Sequence, residues 1–222
     1  MTHFQIELVE ELLCLVDHKN NFTPFCVDFT RGAVGFRQKR VGGSNELLYK
    51  AAGRKKGLKI LDACAGWGTD SFILASLGDE VVALEKNETV FTLLEDGLNR
   101  ARLHDATKEA ALRMKVLNTD FFEYAKNCNE VFDMIYLDPM FPGKANDALP
   151  KKEMQILQSI VGNEKCDVEK MLTVALEMKA SRVVVKRPPH AREFKIPRSS
   201  VIQGKSVRYD VYLQSKLPQP NF

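Results

Sequence analysis

A chain of 222 residues with 45% hydrophobic content can bury one large core, alone or with a small extension, and no apolar run in it reaches the ~18 residues of a membrane-spanning helix. The N-terminus carries acids where a secretion signal carries basic residues, so the expected address is cytoplasmic, with no membrane partner. The five cysteines are scattered without a C-x-x-C pair, and His3, His18, His104 and His190 lack ligand spacing, which argues for reduced thiols and no metal. The net charge of +3 conceals an asymmetry: residues 29–60 carry nine Lys/Arg against one acid, residues 61–178 twelve against 21, and residues 179–222 ten against two. Such charge runs are commonly solvated surface, yet two basic flanks around an acidic centre suit a polyanion, because each neutralised phosphate releases counterions.

In chain order, Phe4 to Val16 and Phe25 to Phe29 read as strands of a small N-terminal β subdomain, connected through Asn20-Asn21. Arg31 to Ser44, with glycines at 32, 35, 42 and 43, reads as a basic loop, so residues 1–44 form the extension and residues 45–222 the main domain. Residues 58–63 predict a buried strand entering the glycine-bearing loop 65–68, and Phe72, Ile73 and Leu77 give the next stretch, 69–77, helical spacing. Gly78-Asp79 stops that helix. A second strand over 80–84 delivers Glu85, and an amphipathic helix spans about 89–103 through Val90, Leu93, Leu94 and Leu98. Further strands are expected at 114–119, 131–137 and 181–186, and helices at 151–160 and 168–179. The alternation predicts an α/β fold whose mostly parallel, doubly wound sheet is covered on both faces. It ends differently, with a hairpin of 199–203 and 206–213 turning at Gly204, hence an antiparallel last strand.

In such a sheet the ligand binds beyond the carboxyl ends of the strands, where strand order reverses. Asp62, Gly66, Gly68, Glu85, Asp120 and Asp138 all fall at such ends. Gly66 and Gly68 allow close approach to a ligand, and Thr69 and Asp70 open the helix behind them. Glu85, in the position after a second strand, suits the two hydroxyls of a ribose; Asp120 suits an adenine amino group, with Phe121 along the ring. Gly66-x-Gly68-x-x-Ser71 nearly matches the dinucleotide fingerprint, but Ser71 replaces its third glycine. Asp62 and Asp70 also bring negative charge to where pyrophosphate would lie, which a cationic sulfonium tolerates. S-adenosylmethionine is therefore favoured over NAD as cofactor. Taken singly, Asp62 and Asp70 read as readily as a helix cap or loop turn, and Trp67 reads more readily as a cover for the core than as a wall of the loop.

The run Tyr136-Leu137-Asp138-Pro139-Met140-Phe141-Pro142 places a carboxylate, a proline-stiffened carbonyl and an aromatic ring at a strand end. An amine on a nucleobase is a poor nucleophile, so an enzyme that alkylates it must hold its N–H groups and aim the nitrogen. Asp138 and the Pro139 carbonyl can accept those hydrogens and Phe141 can stack on the base, a contact worth about 1–3 kcal/mol. A turn followed by two core plugs reads about as well from this stretch alone.

Several motifs together carry a family resemblance over nearly the whole chain. They are Val27-Asp28-Phe29 with Arg31-Gly32-Ala33 and Gly42-Gly43; Asp62-Ala63-x-Ala65-Gly66-x-Gly68-x-Asp70; Leu84-Glu85-x-Asn87; and Asp138 to Pro142 with Lys151-Lys152-Glu153-Met154. Gln158-Ser159-x-Val161-Gly162 and Arg182 to Pro188 complete the set. On these the chain resembles the RsmJ family of ribosomal small-subunit RNA (guanine-N2)-methyltransferases. The resemblance implies a Rossmann-like class I methyltransferase that moves a methyl group from S-adenosylmethionine to N2 of one guanosine near the 3′ end of 16S rRNA. It implies cofactor contacts at Thr69, Asp70, Glu85, Lys86, Asp120, Phe121 and Asp138, and a partner that is 16S rRNA or the small subunit. The chain departs from the family pattern at Thr69 and Lys86, each in place of an arginine, at Asp120-Phe121 in place of a serine pair, and at Asn146-Asp147 in place of Lys-Ser. Family members carry a longer N-terminal segment, so the chain is expected to begin late relative to them. Lys186, Arg187, Arg192, Lys195 and Arg198 are the candidates for phosphate contact.

Overall fold

Strands buried on both faces need apolar residues at nearly every position; the runs 60–61, 81–84, 134–137 and 183–185 are of that kind, and the outer strand-forming runs are mixed. In the computed structural model, which describes residues 3–19, 23–31, 44–140, 152–162 and 166–214, they build one seven-stranded sheet. Its strands are β3 (Lys59–Asp62), β4 (Glu80–Glu85), β5 (Met114–Asn118), β6 (Phe132–Leu137), β7 (Ala180–Arg187), β8 (Ser200–Gln203) and β9 (Arg208–Leu213). Their spatial order is β5-β4-β3-β6-β7-β9-β8. β3 to β7 are mutually parallel where they pair, whereas β9 runs antiparallel to both β7 and β8. The expected terminal hairpin is present, with β9 inserted between β7 and β8.

The alternation of each strand divides the core in two. Ile60, Val81, Ala83, Met134, Tyr136 and Val184 face one side, where α1 (Ser44–Ala51), α2 (Thr69–Ser76) and α3 (Glu88–Leu103) pack through Leu48, Phe72, Leu74, Leu93 and Leu98. Leu61, Leu84, Ile135, Leu137, Val183 and Val185 face the other, against α5 (Phe121–Asn127) and α7 (Val168–Glu177). A short α4 (Lys108–Leu112) adds Ala110 and Ala111 to the first layer, and α6 (Lys152–Val161) adds Ile156. At roughly 25 cal/mol per Å2, a fully buried leucine or phenylalanine contributes about 1.5–3 kcal/mol, so these two layers hold the sheet against chain entropy.

The N-terminal region differs from expectation. What reads as one strand from Phe4 to Val16 is a hairpin, β1 (Phe4–Val9) and β2 (Leu12–Asp17), because Glu10 and Glu11 turn the chain with φ of 48° and 66°. Two positive φ values are what a two-residue turn between twisted strands requires, and neither glycine nor asparagine marks it here. Phe25 to Phe29 is not a strand: it keeps a single bridge between Phe25 and Leu15. Its side chains go instead to the main core, where Val27 and Phe29 are buried and Phe29 stacks on Phe72 with centroids 4.2 Å apart. Arg100 of α3 fastens the segment by donating to the Val27 carbonyl.

Candidate active site

β3 and β6 lie side by side, and the chain leaves them toward opposite halves of the sheet, so their carboxyl ends flank the point where strand order reverses. Two adjoining cavities open there, of ≈ 530 and ≈ 350 Å3. Gly66, Cys64, Asp138, Pro139, Met140 and Leu157 belong to the walls of both. The elongated space suits a ligand with two chemically distinct ends.

The smaller cavity holds Glu85, Lys86, Asp120 and Phe121, brought together from the ends of β4 and β5, with Phe122, Lys170 and Met171 beside them. Glu85 ends β4 because the strand runs out at a buried carboxylate: its Oε2 accepts from Gly66 N at 2.9 Å and its Oε1 from Asn87 N at 2.8 Å. Burial raises its pKa, and the N–H groups of Asn87 and Gly66 pull it back. Each oxygen keeps a second lone pair for a ligand. Asp120 caps α5 by accepting from Phe122 N at 2.8 Å, which fixes its carboxylate at the cavity edge. Phe121 is 3% exposed and forms the apolar floor.

The larger cavity holds Asp62, Gly66, Thr69, Asp70 and Asp138, joined by Trp67, Tyr136, Glu153, Met154 and Lys186. Asp62 ends β3 and ties down the glycine loop: its Oδ2 accepts from Ser71 Oγ at 2.6 Å and its Oδ1 from Cys64 N at 3.1 Å. Burial pushes its pKa up to about 7 against those hydrogen bonds. The loop itself requires glycine twice. Gly66 and Gly68 have φ of 53° and 72°, and a Cβ on Gly68 would lie 2.4 Å from Leu94 Cδ1. Gly68 therefore serves the packing of α3 against the loop, whereas Gly66 alone of the pair lines the cavities. Trp67 combines the two roles that the sequence sets against each other: it lines the larger cavity and packs against the core, contacting Phe25 at 4.6 Å between centroids and donating from Nε1 to the Glu153 carbonyl at 3.0 Å.

A charged chain that the sequence does not announce crosses the floor of the larger cavity. Lys186 Nζ donates to Asp70 Oδ2 at 2.7 Å and to Asp138 Oδ2 at 2.8 Å, and Tyr136 Oη donates to the same Asp70 oxygen at 2.7 Å. Lys186 thus belongs to the site and is not a phosphate contact. Its signal in the sequence is a lysine directly after the buried run Val183-Val184-Val185, at the carboxyl end of a strand where the ligand site is expected. Burial raises the Asp138 pKa to about 6 even though Lys186 lowers it. The side chain is 31% exposed to the cleft, and the Lys186 ammonium beside it favours the ionised carboxylate.

Arg187 is a second correction. It is 5% exposed, pairs with Asp210 at 3.0 Å and lies over the Phe194 ring at 3.6 Å, so it braces the fold. Arg198 bonds Glu193 at 2.8 Å. Of the five basic candidates, Arg192 and Lys195 are the exposed ones, on the loop after β7. Arg54, Lys55 and Lys56 precede β3 and so lie at the amino end of the sheet, away from the cleft. Phe141, Pro142, Asn146, Asp147 and most of the basic loop 31–44 lie outside the described residues. Among the described residues no group of three or more His, Cys, Asp or Glu could hold a metal ion, and no helix is long and apolar enough to cross a membrane.

Carboxylates at both ends of the cleft, with Lys186 as the cation of the larger cavity, fit a cationic ligand that also carries a ribose and a flat base; pyrophosphate would meet Asp62, Asp70 and Asp138. This strand order with an inserted antiparallel strand, and a site of this make-up, define a class I methyltransferase dependent on S-adenosylmethionine. Residues 1–214 match the family described as "Putative SAM-dependent methyltransferase". A SAM-dependent methyltransferase from Neisseria gonorrhoeae superposes with a TM-score of 0.74 at 33% identity, covering 93% of this chain and 81% of that one. The chain is 41% identical to ribosomal RNA small subunit methyltransferase J of Ectopseudomonas mendocina, over 97% of this chain and 85% of that protein. It is 40% identical to the enzyme of the same name from Shewanella sediminis, over 95% and 84% respectively. The chain belongs to the ribosomal RNA small subunit methyltransferase J family.

Proposed function

We propose that the protein methylates the exocyclic N2 of one guanosine in 16S rRNA of the small ribosomal subunit, in the cytoplasm. The observation that carries this reading is the position of Asp138 and Pro139 on the wall common to both cavities, where an amine can meet a cofactor lying along the cleft. When bound, S-adenosylmethionine supplies a methyl group on a sulfonium, whose neutral thioether leaving group calls for no metal. Glu85 would hold the ribose hydroxyls, Asp120 and Phe121 the adenine, and Thr69 and Asp70 the amino-acid end. Asp62 and Gly66 shape the loop against which that end would rest, and Lys86, on the wall of the smaller cavity, would flank the ribose.

The chain's own part in the reaction is aim. Asp138 and the Pro139 carbonyl accept the two N2 hydrogens, which turns the nitrogen lone pair toward the methyl carbon and lowers the entropic part of the barrier. As the C–N bond forms, positive charge grows on the nitrogen, and the ionised Asp138 beside it is stabilising there and can take the proton that leaves. The guanine must be unstacked to reach this depth, at a cost of a few kcal/mol when it starts stacked. Phe141, placed by sequence next to Met140, is the proposed stacking partner. Incubation of the protein and S-adenosylmethionine with small subunits lacking the modification should give one N2-methylguanosine near the 3′ end of 16S rRNA. Methylated adenosine, or no incorporation, would refute the reading.

A further inference from the structure

Lys186 leaves the end of β7 between α2 and the turn that follows β6, and its ammonium spans two carboxylates that come from different elements. The contact to Asp138 uses Oδ2, while Asp138 Oδ1 has no hydrogen-bond partner among the described residues. Asp70 is in turn held by Tyr136, a side chain with no exposure at all, so the chain of Tyr136, Asp70, Lys186 and Asp138 is anchored in the core at one end and ends in the cleft at the other.

We propose that Lys186 is a positioning residue for methyl transfer: it grips Asp138 by one oxygen and keeps it ionised, so that the other oxygen is the acceptor that aims the amine. This rests on the role given to Asp138 above. The physical need is plain from the neighbours. Asp62, Asp70 and Asp138 crowd one cavity, and like charges at short range drive one of them toward its neutral form. With Oδ2 taken by Lys186, a protonated Asp138 would carry its proton on Oδ1 and present an O–H to the N–H groups of the amine, and two donors do not pair. Burial raises the Asp138 pKa, Lys186 lowers it and Asp70 raises it again. Burial acts to discharge Lys186, but Asp70 and Asp138 together outweigh it and hold the ammonium charged. Among the described residues, the other titratable groups around this cavity are Asp62 and Cys64 at the end of β3, Glu153 of α6, and Tyr136 and Tyr209 from β6 and β9; burial pushes the Cys64 thiol and both tyrosine hydroxyls up and keeps them neutral.

The test compares wild type with Lys186→Met, Lys186→Gln and Lys186→Arg, following methyl transfer to unmodified small subunits from about pH 5.5 to pH 8.5, with melting curves beside it. Lys186→Met should lower kcat at least about tenfold at pH 7 and move the acid limb of the rate profile up by about one to three pH units, because the opposite charge beside Asp138 is gone. Lys186→Gln can still donate to Oδ2, so it should show the same displaced limb but recover rate at high pH. Lys186→Arg should retain the wild-type limb. An unmoved limb in both neutral variants, or full rate at pH 7 in either, overturns the proposal. If wild type itself leaves guanosine N2 unmethylated, the fault lies with the role given to Asp138 and not with Lys186 alone.

Discussion

On one face of β7, Lys186 reaches into an open cleft and shares its charge between Asp70 and Asp138; on the other face, one residue later, Arg187 is sealed against Asp210 and Phe194. The arginine cluster is purely internal. Arg208 joins Asp210 at 3.0 Å and donates to the Pro189 carbonyl at 3.3 Å, and Arg187 donates to the Arg192 carbonyl, so two buried guanidiniums tie the loop after β7 to the hairpin. Arginine suits that place because its planar fork serves several acceptors at once and stacks on a ring, whereas a lysine suits a cleft where a compact charge must meet two separate carboxylates. Adjacent residues of like charge thus carry different tasks, and the counter-ion and its exposure decide which.

The largest effect expected from breaking this contrast is on the buried side. Arg187→Ala leaves Asp210 facing fewer cations in a dry environment and should cost about 3–5 kcal/mol of stability. That corresponds to a melting point lower by roughly 10 °C or more. A Tm within a degree or two of wild type would remove Arg187 from the structural side. Glu85→Ala stands between the two cases, because its carboxylate both anchors Gly66 N and faces the smaller cavity. It should weaken S-adenosylhomocysteine binding by about 1–3 kcal/mol in calorimetry, the loss of a buried acceptor pair; unchanged affinity would confine Glu85 to loop anchoring. The smallest effect belongs to charges with neither a buried partner nor a place in the cleft. Replacing Arg192 and Lys195 together by Ala should reduce the salt dependence of RNA binding by about one slope unit for each phosphate no longer neutralised, with cofactor affinity unaltered. An unchanged slope would make both residues solvated bystanders.

Most strands and long helices are legible in the sequence, to within a residue or two, because a continuous apolar run and a 3.6-residue period are unambiguous when both faces of a sheet are covered. The short helices α4 and α5 span only five and seven residues, too few to display a period. The N-terminal hairpin is hidden because its turn is Glu10-Glu11, which carries no turn signature. Within the site, Asp62, Glu85, Asp120 and Asp138 can be placed by their positions at strand ends alone. Lys186 and Arg187 cannot, since sequence supplies a charge but not the carboxylate that meets it. Gly68 reads as a ligand-side glycine for a similar reason: the sequence shows that a Cβ is absent but not that Leu94 fills the space.

Asp138 carries the central claim, and the most direct measurement is the yield and identity of the methylated nucleoside made by Asp138→Ala and by wild type on the same unmodified small subunits. Wild type should give N2-methylguanosine, and the variant should be slower by at least about a hundredfold, the order seen when a preorganised transition-state partner is removed. Its melting temperature should stay close to wild type, because the carboxylate lies at the cleft and not in either core layer. Near-normal turnover by Asp138→Ala, with the same product, would contradict the account.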